Sequence, residues 1–358
     1  MSEDAKRALL PAGLRDLLPP EAARAAQLRE SLLATLAAHG YERVDPPLVE
    51  FEDGLLSGLG AATAADTFRL MDPVSQRMMG VRADMTPQIA RLATTRLVRA
   101  PRPLRLSYAG EVLRIKGSQL RPERQFVQVG AELIGSASAS ADAEAVLLAA
   151  EALVQAGVKQ LSVDLNSPTL VAALCRTLAS ADAARLAAAL DRKDAAAVAA
   201  VGGPAAALAA ALLAATGSAE PALAALATLA LPPEPAAEAA RLAEVARLVR
   251  RAQPDLVLTI DPVEYRGFEY QTGVSFTLFA LGVRGELGRG GRYLAGSGAG
   301  EPATGFTLFL DSVIRAVPEA EPVRKLFLPD GTAAEAARRL RGEGWVALAG
   351  LEPAADPR

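Results

Sequence analysis

The chain holds a single cysteine, Cys175, and a single histidine, His39. One thiol excludes an intramolecular disulfide framework and a cysteine-built zinc cluster. One imidazole argues against a histidine-rich metal site and a Ser-His-Asp triad. Aromatic residues are only 4% of the 358, which leaves little material for base-stacking platforms. Neither sign of charge is in excess: 38 Lys and Arg stand against 41 Asp and Glu, a formal net charge of -3. That balance excludes a strongly basic nucleic-acid coat and a polyacidic tail, while leaving room for a local basic groove. Long apolar runs are missing too. The N-terminal MSEDAKRALLPAGLRDLLPPEAAR has no apolar core of secretory length, and the Ala-rich middle is cut by Gly202, Gly203, Pro204, Gly217, Glu220 and Pro221. The expectation is a soluble, cytoplasmic chain with no membrane partner.

What is present is ample apolar material. Hydrophobic residues make up 51% of the chain, enough for a large core. At roughly 150 residues per domain the length suits two or three units. Leu28, Leu32, Leu33 and Leu36 recur at helical spacing between Glu21 and His39, and Gly40 stops the helix. His39 falls in the last turn, where the helix dipole favours a cation. Phe68 and Leu70 alternate with polar residues, Asp72-Pro73 marks a turn, and Met78 to Val81 makes a second strand, so a hairpin is expected. Segments 104–115 and 124–134 both alternate and read as antiparallel strands across the polar loop KGSQLRPE.

Between residues 181 and 250 the composition shifts to 31 alanines, read as a helical insertion that buries little area per residue. Strand signals return at LVLTIDPVEY and FEYQTGVSFTLFAL, GELGRGGRYLAG reads as Gly-rich turns, and the tail reads as one β-α-β unit. The expected order is a core over 1–166, an insertion over 167–252, a second core part over 253–320 and a short α/β tail over 321–358. The fold class is α+β, an antiparallel sheet flanked by helices.

Three polar groupings are candidates for chemistry. In RADMTP, Asp84 and Thr86 precede a helix and either cap it or wall a pocket that binds an amine. On the strand pair, Arg114, Gln128 and Glu132 can reach one region, since Gln128 and Glu132 share a face at period two. Buried there, they need a ligand or an ion pair; exposed, they are solvent decoration. In EYRGFEYQTG and GRGGRYLAG, Arg266, Arg289 and Arg292 lie among glycines, a setting that suits anions or simple hairpin turns. GRGG is neither a dinucleotide fingerprint nor a Walker loop.

Taken in order, these segments resemble the core of histidyl-tRNA synthetase, a class II aminoacyl-tRNA synthetase. LPAGLRDLLPPEA looks like that family's PxGxRDLLP, and GVRADMTPQIAR like its LRPEGTxPxxR. Arg114 to Gln128 matches the length of the motif 2 loop, VGAELIG matches VGxExxG, and YRGFEYQTG resembles RGLDYYTG. GGRYLAG resembles GGRYDGL, and TGFTLFLDSV takes the place of motif 3.

The departures fall on the ATP side. Motif 2 of the family carries a Glu that receives the adenine amino group; here Lys116 stands in its place. Motif 3 carries an Arg; here the stretch is Asp311-Ser312-Val313. A serine hydroxyl cannot replace a planar cation. The segment after residue 316 is too short for the family's anticodon-binding domain. The amino-acid side keeps its pattern at Asp84, Thr86, Gln128, Glu132, Arg266 and Tyr270, with Gln271 replacing a second tyrosine.

That combination resembles the synthetase-like regulatory subunits of ATP phosphoribosyltransferase. The resemblance implies a non-catalytic chain with no cofactor or metal and no nucleic-acid partner. It implies assembly with a short-form catalytic subunit, a homodimer within a hetero-oligomer, and histidine as effector. The implied histidine-binding set is Asp84, Thr86, Arg114, Gln128, Glu132, Arg266 and Tyr270. An active histidine-adenylating enzyme, or a scaffold with a vestigial pocket, are the alternatives. Lys116 and Ser312 argue against the first, and histidine binding separates the second.

Overall fold

The computed structural model describes residues 9–118, 121–176, 178–264, 270–296, 300–319 and 324–352. Its strands are β1 (Glu42–Arg43), β2 (Val49–Phe51), β3 (Arg69–Met71), β4 (Met78–Val81), β5 (Leu104–Leu113), β6 (Gln125–Ile134) and β7 (Leu161–Asn166), followed by β8 (Gly217–Ser218), β9 (Val257–Asp261), β10 (Gln271–Ala280), β11 (Gly288–Ala295), β12 (Glu301–Phe309), β13 (Lys325–Leu328) and β14 (Val346–Ala349). The chain divides into a unit over Met1–Val317 and a unit over Pro318–Arg358.

The first unit is built on a nine-stranded sheet in the order β1-β5-β6-β12-β11-β10-β7-β9-β8. From β5 through β7 every pairing is antiparallel; only β1 with β5 and β7 with β9 run parallel. Strand alternation sorts the side chains onto two faces. Val129 and Ala131 of β6, Leu165 of β7, Phe276 and Leu278 of β10 and Phe306 of β12 face helices. These include the helix Glu21–Ala38, whose Leu32 and Leu36 are buried, the helix Ala139–Gln155 and the helix Pro233–Ala252. Each such leucine contributes about 2 kcal/mol by leaving water. Ser138 caps the helix Ala139–Gln155 by accepting the Ala141 N–H. The intervening residues of the strands face the other way, toward the helix Thr86–Thr95, and build the site described below.

The hairpin expected around Asp72 is present: β3 and β4 pair antiparallel, and β2 joins them in a three-stranded sheet. His39 ends its helix as expected, with its backbone N–H on Leu36 O and Nε2 3.3 Å from Glu151 Oε2.

Two sequence readings differ from the structure. GRGGRYLAG, read as hairpin turns, is the central strand β11. Its glycines serve close approach: a Cβ at Gly290 would overlap the ring of Phe276 and the Gly305 carbonyl of β12. The Ala-rich stretch is not wholly helical, since Gly217–Ser218 form β8 against β9. Gly217 adopts φ 146°, open to glycine and unfavourable for a side chain. Leu186, Leu190, Val198, Leu212, Val245 and Val249 of that stretch are fully buried in the same core as the helix face of the sheet.

In the second unit, β13 and β14 pair in parallel, joined through the helix Ala334–Gly342.

Candidate functional site

The face of the sheet opposite the long helices carries a polar cavity of about 160 Å³. Its floor follows from period two. Gln128 and Glu132 of β6, Gly305 and Thr307 of β12, and Gly291 and Tyr293 of β11 all project there. Asp84 and Thr86 close one side from the start of the helix Thr86–Thr95, and Tyr270, Gln271, Asp66 and Arg114 are also part of the lining.

Glu132 is the centre of the hydrogen bonding. It is 1% exposed. Tyr293 Oη donates to its Oε2 at 2.9 Å and Tyr108 Oη to its Oε1 at 3.2 Å. The Thr307 hydroxyl lies 2.7 Å from Tyr108 Oη, and the Thr86 hydroxyl 3.3 Å. Burial raises the Glu132 carboxyl from 4.5 to about 8, against the opposing effect of these hydroxyl donors. Burial likewise pushes the phenols of Tyr108, Tyr270 and Tyr293 up. Tyr270 meets Tyr293 edge to face, with ring centroids 6.2 Å apart.

Asp84 both supports the helix and faces the cavity, since its Oδ1 takes the Thr86 N–H at 3.3 Å. Gln128 Oε1 accepts the Met85 N–H at 2.9 Å, which fixes the amide beneath the cavity. Arg114 is held by Nε to Ala83 O at 3.2 Å and by its backbone N–H to Arg124 O.

Of the residues expected from sequence, Asp84, Thr86, Arg114, Gln128, Glu132 and Tyr270 converge here. Arg266 lies outside the described residues. The third grouping separates: Arg289 lines the cavity, whereas Arg292 is on the opposite face. It is 8% exposed, bound to Asp142 and to the carbonyls of Ser136 and Ser138. Positions 289 and 292 differ by an odd number, so alternation alone parts them. Arg82 of RADMTP is also structural, donating to Glu111 O and Pro46 O. Arg124 turns to Ala12 O and Arg114 O.

Sequence reasoning missed Asp66, Tyr108 and Tyr293 as lining or supporting groups, while Gln271 was noted only as a replacement for a tyrosine. Tyr108 was legible, since it shares the even-numbered face of β5 with Leu106 and Val112. Gln271 Oε1 is buried with no hydrogen-bond partner among the described residues.

A second cavity of about 540 Å³ shares Asp66, Arg114 and Arg289 with the first. Lys116 and Ser312, the two departures from the synthetase pattern, both line it. Arg121 lies across it, 3.6 Å from the Phe309 ring centroid and 5.1 Å from that of Phe126. It pairs with Asp311 at 3.5 Å and Glu286 at 3.9 Å, and donates to Ser312 Oγ at 3.4 Å. Among the described residues there is no group of three or more metal-ligating side chains and no helix long and apolar enough to cross a membrane.

An antiparallel sheet with a polar cavity on its open face, fed by a β5–β6 hairpin and a strand-to-helix β12 segment, defines a class II synthetase-type core. Residues 13–313 match the family model described as Histidyl-tRNA synthetase. Within that class, the chain belongs to the family of ATP phosphoribosyltransferase regulatory subunits. It is 60% identical over 351 residues to the ATP phosphoribosyltransferase regulatory subunit of Rhodospirillum centenum, covering 98% of this chain and 91% of that protein. An ATP phosphoribosyltransferase regulatory subunit/histidyl-tRNA synthetase from Bacillus halodurans shares the fold, with TM-score 0.83, 24% identity and coverage of 98% and 94%. A chain of the ATP phosphoribosyl transferase complex from Thermotoga maritima shares it at TM-score 0.64 and 16% identity, over 80% of this chain and 97% of that one.

Proposed function

We propose that this chain is the histidine-responsive, non-catalytic regulatory subunit of a cytoplasmic ATP phosphoribosyltransferase, required by a short-form catalytic subunit and conferring feedback inhibition by histidine. The observation that carries the histidine reading is the first cavity, where buried Glu132 and partly buried Tyr270 share one small space with Asp84 and Arg114. Histidine presents an ammonium, a carboxylate and an imidazole. Asp84 and the Thr86 hydroxyl accept from the ammonium. Arg114 or Arg266 takes the carboxylate. Gln128 already holds the Met85 N–H on Oε1, so it turns chiefly its Nε2 amide to the ligand. Glu132 and Tyr270 border the imidazole. A carboxyl group raised to about 8 is mostly protonated near neutrality, so it donates to a neutral ring nitrogen, or accepts from the imidazolium after giving up its proton.

Binding in such a space orders the surrounding loops and biases a homodimer within a hetero-oligomer between two quaternary states. Inhibition then needs a differential affinity of roughly 1–3 kcal/mol between those states. The position of Lys116 and the Arg121–Asp311 pairing support a chain that does not carry out adenylation.

The test is reconstitution. The chain is mixed with a short-form catalytic subunit and phosphoribosyl-ATP formation is followed with and without histidine. Activity should depend on this chain and fall on adding histidine. Calorimetry on the chain alone should show saturable histidine binding that Asp84→Ala removes. Activation without any histidine binding would establish the scaffold reading instead.

A further inference from the structure

The second cavity has a floor and a wall of different chemistry. The floor is the sheet itself: Asp164 and Asn166 stand two residues apart on β7, with Thr277 on the neighbouring β10. Asn166 is 1% exposed. Its Oδ1 accepts from the Ser275 hydroxyl, but its Nδ2 has no partner among the described residues. A buried amide donor without an acceptor is costly unless something enters to accept from it. Asp164 already accepts from the Thr259 hydroxyl at 2.8 Å, and burial lifts its carboxyl to about 6.

The wall is the loop after β5, which brings Arg114 and Lys116. Neither forms an ion pair with a carboxylate among the described residues. The cavity's other loop cation, Arg121, is committed to Asp311, Glu286 and the faces of Phe309 and Phe126.

These features select a ligand class by elimination. An amine on the floor would meet the Asn166 Nδ2 donor. A bare anion on the floor would meet Asp164. A hydroxyl suits both, since it donates to one and accepts from the other. The wall asks for an anion, and a phosphate can take both an arginine fork and a lysine point charge. Of the two aromatic side chains that line the cavity, Phe126 is already covered by Arg121, which leaves Phe279 as the one face a nucleobase could meet. We propose that the second cavity binds a small phosphorylated polyol, its hydroxyls on Asp164 and Asn166 and its phosphate on Arg114 and Lys116. The proposed contacts differ from those of the ATP site that the synthetase resemblance implies, because none of them is to a base.

The probe is D-ribose 5-phosphate, titrated calorimetrically into the full chain. Saturable binding of one molecule per chain is expected. Ribose alone and inorganic phosphate should each bind at least tenfold more weakly, and AMP no more tightly than the sugar phosphate. Lys116→Glu, an exposed change that leaves the fold intact, should weaken binding at least tenfold while leaving histidine binding unchanged. Asn166→Ala should do the same, with circular dichroism verifying that it folds. Absence of saturable binding would overturn the proposal, as would indifference to Lys116→Glu. Inorganic phosphate binding as tightly as the sugar phosphate would remove the role of the floor. AMP binding tenfold more tightly would show a base-reading site.

Discussion

Glu132 and Gly305 stand opposite each other in the β6–β12 ladder, and the carboxyl of Glu132 fills the space that a side chain at 305 would need. Position 305 is therefore set by its neighbour. Gly305→Ala must displace the carboxylate or part the strands. The expected cost is about 1–3 kcal/mol of stability, together with loss of histidine binding. Urea unfolding and calorimetry measure the two. A variant that binds histidine like the parent would refute this account of the cavity.

Glu132 also makes stability depend on pH. Its folded value of about 8 lies above the ordinary 4.5. Between those values the unfolded chain has released the proton while the folded chain retains it. Stability is therefore fully present below pH 4.5 and declines as pH rises toward 8, by at most about 1.4 kcal/mol per pH unit. Glu132→Gln should flatten that slope, so the variant gains on the parent from pH 5 to pH 8. Parallel slopes in urea unfolding would show that Glu132 is ionised in the folded chain.

Gln271, which lines the first cavity, has a buried Oε1 without a partner among the described residues. On the proposed reading of that cavity, this oxygen accepts an imidazole N–H. Removing a buried hydrogen-bond partner costs about 1–3 kcal/mol, so Gln271→Leu should weaken histidine binding on the order of tenfold or more. Gln271→Tyr, which restores the residue type of the synthetase pattern, should recover part of it. Equal affinity in all three proteins would exclude Gln271 from recognition.

Asp142 predicts a purely structural effect. It is 2% exposed and bound by Arg292 at 2.9 Å and Arg241 at 2.6 Å. Asp142→Ala leaves Arg292 buried without its carboxylate, at a cost of about 3–5 kcal/mol. The folded fraction should bind histidine with unchanged affinity, because this pair lies on the helix face of the sheet. Impaired affinity in that fraction would contradict the division of the sheet into two faces.

How far the sequence carries can be judged from these residues. The alternation in 104–115 and 124–134 was legible, and with it the shared face of Gln128 and Glu132. Asp84 and Thr86 were legible as a helix start that also faces a cavity. The second cavity was not. Asp164 and Asn166 become neighbours of Thr277 only because β7 pairs with β10, more than 100 residues onward, and no local pattern encodes that pairing. The nature of β11 was obscured for a different reason. Its glycines read as turn residues, and only the crowding from β10 and β12 shows why a central strand carries them.

Arg114 is a wall common to both cavities. A single guanidinium, tethered through Nε to Ala83 O, can lean toward one anion or the other. The carboxylate of an amino acid and the phosphate of a polyol would then compete for one hand, although they occupy separate rooms. Such antagonism is reciprocal by thermodynamic necessity: whatever factor one ligand takes from the other's affinity, it loses in return. Titrating each ligand in the presence of the other reads that factor from both directions, and two independent affinities would mean that Arg114 serves only one of them.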